Sequence, residues 1–195
     1  SLARVLDLAA RYRREGGRVP LVLFTYCNPL LRMGLEAFAS RAAAAGIDGV
    51  LVVDLPPEEA RAYRTCLAVR GLDTVFLASP TTTRSRLRLI ADAATGFVYY
   101  ISRLGVTGES RDLPASLVRE LAAVRRAAGK PVAVGFGIAR PEQARSLARH
   151  ADAVVVGSAL VRLAEGRKPE AAARKMKALA EGMIRALRRG GQRCS

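Results

Sequence analysis

Six short apolar runs, each separated from the next by a stretch of helical periodicity, constrain this chain more than any other feature. They occupy residues 20–26, 49–54, 74–77, 96–101, 131–134 and 153–156. Short runs of nearly unbroken apolar residues mark strands covered on both faces, and strands alternating with helices at intervals of roughly 20 to 35 residues pair in parallel. The intervening helices are predicted over residues 2–15, ended by Gly16-Gly17, then 34–45, 84–94, 113–128, 141–150 and 169–189, with a short one from Ser158. Another is predicted to open at Pro56-Pro57-Glu58-Glu59, where proline suits the first turn and two carboxylates suit the positive end of the helix dipole. Cys27-Asn28-Pro29 and residues 79–83 read as loops, the second with N-cap candidates.

The pattern alone allows a doubly wound open sheet or a barrel. No GxGxxG follows the first run, which weakens the dinucleotide-binding version of the open sheet. Two glycine corners favour the barrel: Gly135-Phe136-Gly137-Ile138 after the fifth run and Gly157-Ser158-Ala159-Leu160 after the sixth. Residues without bulky side chains let backbone N–H groups approach a ligand, and a helix N-terminus adds partial positive charge. One such corner is more often a tight turn. A pair of them after the last two strands is where (β/α)8 barrels hold phosphate. A complete barrel has eight strands and typically about 250 residues. The expectation is therefore an α/β chain forming one domain over residues 1–195, an incomplete TIM (β/α)8 barrel with about six parallel strands and its first two missing. An opening residue of Ser rather than Met agrees with that.

Composition excludes several classes. Half the residues are apolar, yet no run approaches the ~20 needed to span a bilayer, and no secretory leader is visible. The three cysteines, Cys27, Cys66 and Cys194, lack metal-ligand spacing, so no metal site is expected and a reducing cytoplasm fits. The net charge of +15 first suggests nucleic acid. Its arginines, however, are spread over helices, as at Arg84, Arg86, Arg88, Arg140, Arg145 and Arg149, and aromatic residues are sparse. That is a solvated basic surface rather than a stacking platform. The one histidine, His150, reads as a surface residue at a helix end.

The polar, glycine-bearing loop at 102–111 is the candidate lid. Its sequence, Ser102-Arg103-Leu104-Gly105-Val106-Thr107-Gly108, resembles that of the tryptophan synthase alpha chain family. So do Asp54-Leu55-Pro56-Pro57-Glu58-Glu59, Val134-Gly135-Phe136-Gly137-Ile138 with Pro141-Glu142-Gln143, and Val156-Gly157-Ser158-Ala159. The match runs in order from about Pro20 to Arg162. The resemblance implies a lyase that cleaves indole-3-glycerol phosphate to indole and glyceraldehyde 3-phosphate in tryptophan biosynthesis. It implies a beta-chain partner in an alpha2-beta2 assembly, with pyridoxal phosphate in that partner and no cofactor in this chain. By position, Gly108, Gly135, Gly137, Gly157 and Ser158 would hold phosphate. Tyr99 would lie beside the reacting part of the substrate, and Tyr26, Leu51 and Phe136 would line the indole pocket. Arg103 and Thr107 would belong to the lid, and Asn28 and Pro29 would face the beta chain. Beside these roles stand plainer ones: core for Tyr99 and Leu51, turn hydrogen bonds for Thr107, and a helix cap or loop anchor for Asp54.

Cleavage needs a proton delivered to the indole carbon that bears the glycerol chain, and a base for the hydroxyl proton as the carbon–carbon bond breaks. That calls for positioned carboxylates. The resemblance places them on a strand end and loop upstream of Ser1, so no catalytic residue is expected within this chain. The alternative is a non-catalytic fragment or regulatory subunit that binds a glycerol phosphate and docks on the beta chain. An open six-stranded sheet is also an aggregation hazard unless its edges are covered.

Overall fold

The computed structural model describes residues 1–102, 115–135 and 137–191. They divide into two compact units, residues 1–77 with 85–98, and residues 78–84 with 99–195. In the first unit come α1 (Leu2–Arg14), β1 (Val22–Thr25), α2 (Cys27–Met33), α3 (Leu35–Ala44), β2 (Gly49–Val52), α4 (Arg61–Ala68), β3 (Asp73–Ala78) and α5 (Arg84–Ala93). The second holds β4 (Val98–Ile101), α6 (Ala115–Ala128), β5 (Val132–Gly135), α7 (Pro141–Leu147), β6 (Ala153–Val155), α8 (Ser158–Ala164) and α9 (Pro169–Gly191). No described helix is long and apolar enough to cross a membrane.

Strands lie in sequence order within each unit. β1 runs parallel to β2 with Phe24 opposite Leu51, β2 parallel to β3 with Leu51 opposite Val75, and β5 parallel to β6 with Gly135 opposite Val155. β2 and β5 are buried at every residue, as their unbroken apolar runs predict. β1 departs from that reading. Leu23 is buried, but Val22, Phe24 and Tyr26 on the other face are 43, 60 and 60% exposed. An end strand of the sheet has a neighbour on one side only, so its apolar run does not guarantee burial of both faces.

Two local readings are corrected. Cys27-Asn28-Pro29 opens α2 instead of forming a loop, because the Asp54 carboxylate accepts the Cys27 N–H at 2.7 Å and satisfies a helix-start donor from 27 residues away. Pro29 then sits in the first turn, where its missing N–H costs nothing. Residues 56–59, predicted to begin a helix, form turns ahead of α4, and Glu58 pairs instead with Arg86 at 2.7 Å. Gly34, at φ +84°, breaks α2 from α3, a conformation glycine adopts without penalty.

Arg13, at the end of α1, gathers the entrances of two strands. Its guanidinium donates to the carbonyls of Gly46, Gly17 and Val19 and to Asp48 Oδ2, and that same oxygen accepts the Leu21 N–H. Deeper in, the Tyr63 hydroxyl donates to the Val50 carbonyl at 3.0 Å, and in the second unit Tyr100 donates to Glu120 at 2.9 Å. Burial holds both phenols well above the usual tyrosine range, and Glu120 adds to the effect at Tyr100. The raised folded value means that unfolded tyrosines release their protons first. The stabilising contribution of these phenols is therefore complete below about pH 10 and falls as pH rises beyond it. In an alkaline titration followed at 295 nm, the phenolate signal of Tyr63 and Tyr100, identified by Tyr63→Phe and Tyr100→Phe, is expected to rise only as the circular dichroism is lost. Reversible ionisation of either with the secondary structure intact would contradict this account.

Candidate phosphate and substrate site

In the second unit, among the described residues, Tyr99 lies on β4, while Gly135, Gly137, Gly157 and Ser158 lie at or just past the C-terminal ends of β5 and β6. Because Gly135 lies opposite Val155, Gly137 and Gly157 each stand two residues past a paired position on neighbouring strands, and the two corners are side by side. Parallel neighbours run about 4.8 Å apart, close enough for one phosphate to meet both. Gly137 holds φ +82°, which a side-chain-bearing residue adopts only at a cost. Gly157 caps α8, Ser158 is its first residue, and both are exposed. The N–H groups of a helix's first turn have no partner within the helix, so they remain available to an anion. Behind the first corner, Gln143 accepts the N–H groups of Ala139 and Arg140 at 2.9 and 3.0 Å, and Pro141 opens α7. The Pro141-Glu142-Gln143 segment thus fixes the chain as it leaves the corner.

Tyr99 and Gly135 meet directly. A side-chain carbon on Gly135 would overlap the Tyr99 phenol, so glycine at that position is what admits the ring. Tyr99 is half-buried, and burial pushes its hydroxyl above the usual range. Its neighbour Tyr100 points the other way and is 1% exposed, as alternation along a strand requires. Ser102, fully buried, donates both its N–H and its hydroxyl to the Gly135 carbonyl, at 2.9 and 3.0 Å. This contact is absent from the sequence-based expectations. The signal available for it was a lone serine closing an apolar run.

In the first unit, Leu51 sits in the middle of β2 at 2% exposure, in register with Phe24 and Val75. Tyr26 caps α2 with extended backbone, its side chain on the exposed face of β1. Asp54 is committed to the Cys27 N–H. Asn28 and Pro29 lie in the first turn of α2. Arg103, Thr107, Gly108 and Phe136 lie outside the described residues.

The family model for the tryptophan synthase alpha chain matches residues 1–188. A tryptophan synthase alpha chain of Solibacter usitatus is 50% identical over 190 residues, which is 97% of this chain and 70% of that one. Another, of Geobacter sulfurreducens, is 51% identical over 165 residues, 85% of this chain and 62% of the relative. Among solved structures, the tryptophan synthase a2b2 complex of Pyrococcus furiosus contains a chain 38% identical with a TM-score of 0.84, matched over 94% of this chain and 74% of that one. The alpha chain of Legionella pneumophila is 33% identical with a TM-score of 0.85, over 98% and 71%. Six parallel strands with their helices are thus those of a TIM barrel, and the chain spans roughly two thirds to three quarters of most of these relatives. Matched over nearly its whole length, with the two glycine corners in place, the chain belongs to the tryptophan synthase alpha chain family, lyases of tryptophan biosynthesis.

Proposed function

We propose that this chain binds indole-3-glycerol phosphate and serves its cleavage to indole and glyceraldehyde 3-phosphate, within one barrel domain over residues 1–195. The observation that carries this reading is the placement of Gly137 and Gly157 on adjacent strand ends, with Tyr99 packed against Gly135 beside them. Gly108, Gly135, Gly137, Gly157 and Ser158 hold the phosphate through backbone N–H groups. By the family resemblance, Tyr99 is assigned to the reacting part of the substrate, Tyr26, Leu51 and Phe136 to the indole pocket, and Arg103 and Thr107 to the closing lid. The product indole passes to a beta chain in an alpha2-beta2 assembly, where the pyridoxal phosphate resides. The cytoplasm is the compartment that suits both partners.

The acid and base of the retro-aldol step are not assigned to Asp54, Glu58 or Asp152. Asp54 is spent on Cys27, Glu58 on Arg86 and Asp152 on Arg125. We infer from the family resemblance that the carboxylate pair is supplied from outside residues 1–195 and that this chain contributes binding and orientation. The test is indole release from indole-3-glycerol phosphate by the 195-residue chain, alone and with a beta chain, and again after adding a segment that carries the family's first two strands. No release alone and release on addition is expected. Release by the chain alone would overturn the assignment of the carboxylates. Phosphate binding without release in any mixture would favour a non-catalytic subunit.

A further inference from the structure

Nothing in the reading above gives a task to Ser102, although it directly follows β4. It is one of two polar residues among the described buried side chains, at 0% exposure. A buried hydroxyl needs a partner, and this one has chosen a carbonyl that the backbone N–H of the same residue already occupies. Both donors converge on Gly135 O, at 3.0 and 2.9 Å. Ladder pairing between strand ends requires only the N–H bond. The second bond restrains the Gly135 carbonyl in two directions, and with it the orientation of the corner. Glycine has no side chain of its own to resist rotation at that point. Tyr99 presses on the same residue from three positions earlier on β4.

We propose that Ser102 is a positioning residue for anion binding: its hydroxyl locks the Gly135 corner in the orientation that receives phosphate. The inference rests on the phosphate reading of the corners. Ser102 touches no substrate atom in this scheme and acts through Gly135 alone.

The test compares glycerol 3-phosphate binding, by calorimetric titration, in the parent chain, Ser102→Ala and Tyr100→Phe. Tyr100→Phe removes the hydroxyl bond to Glu120 from the same strand, directed away from the corner, and serves as a control for general loosening of β4. Each variant is also melted thermally. A lost bond of this kind weakens what depends on it by about five- to tenfold. Ser102→Ala is expected to lose affinity by that factor, and Tyr100→Phe to keep parental affinity at a comparable fall in melting temperature. In the chain completed for activity, the same change should raise KM for indole-3-glycerol phosphate and leave kcat within about twofold. Equal affinity in Ser102→Ala and parent would overturn the inference and leave the phosphate reading standing. So would equal losses in both variants, or failure of Ser102→Ala to fold, since either would make the bond a general structural one. A parent chain that binds no glycerol 3-phosphate would overturn the phosphate reading and this inference with it.

Discussion

Gly135→Ala is expected to destabilise the chain by about 1–3 kcal/mol and to weaken glycerol 3-phosphate binding at least tenfold, as overpacking at a tight contact does. The reason is spatial rather than conformational, since Gly135 does not need the left-handed region. A carbon added there falls on the Tyr99 ring, 2.6 Å from Cε2 and 2.8 Å from Cζ, nearer than packed carbons approach. Relief requires either the ring or the strand end to move. The ring is held on β4, and the strand end carries the carbonyl that Ser102 grips. Either movement displaces the phosphate corner. Thermal melting and phosphate titration of Gly135→Ala should show both losses together. Adding Tyr99→Leu removes the obstructing ring, so the double variant should be more stable than the sum of the single changes predicts, by about 1–2 kcal/mol. Parental melting of Gly135→Ala, or simple additivity, would refute the contact as the cause.

The second large effect concerns stability alone. Arg13→Ala is expected to cost about 2–3 kcal/mol, equivalent to a fall of roughly 5–10 °C in melting temperature for a chain of this size. The guanidinium makes bonds of 2.9, 3.0 and 2.9 Å to the Gly46, Gly17 and Val19 carbonyls and one of 2.6 Å to Asp48. Its side chain is 24% exposed, so these bonds are only partly screened. The stem also lies where a side chain on Gly46 would be, with Cγ 2.7 Å from that position. Removing Arg13 leaves three carbonyls and a carboxylate without their shared donor at the point where α1, β1 and β2 come together. Arg13→Lys keeps the charge but cannot fork, and should recover less than half of the loss. Urea denaturation of both variants measures this, and a change below about 0.5 kcal/mol in Arg13→Ala would show that the cluster is ornamental to the fold.

What could be read in the chain, and what could not, divides along the reach of the interactions. The six apolar runs announced six strands because strand burial is written locally, in consecutive side chains. The glycines at 135, 137 and 157 likewise fall directly after apolar runs, so their place at or just past the ends of β5 and β6 was legible locally. By contrast, α2 was hidden because its start depends on Asp54, far along the chain. Without that carboxylate, Cys27-Asn28-Pro29 has no local cap and reads as a loop. The turns at 56–59 were misread because Pro-Pro-Glu-Glu is locally an excellent helix opening, while Glu58 is drawn to Arg86 on α5 instead. The outer face of β1 shows the same limit from another side. Val22, Phe24 and Tyr26 look like core residues by type, and only the strand order reveals that nothing lies beyond them among the described residues. Arg13 was silent for want of any local signature, and Ser102 offered only a lone serine after an apolar run.

The sequential strand order carries a consequence for how quickly the chain finds its structure. Phe24 meets Leu51 27 residues on, Leu51 meets Val75 24 residues on, and Val134 meets Val154 20 residues on. Each closure is a search over one or two connecting helices rather than over the whole chain, and closure entropy grows only slowly across that span. Parallel sheets are ordinarily slow because their partners are remote; here the partners are as near as a parallel topology allows. Strands can therefore be added one at a time behind an advancing edge, which suits a chain emerging from a ribosome in the order in which its strands pair.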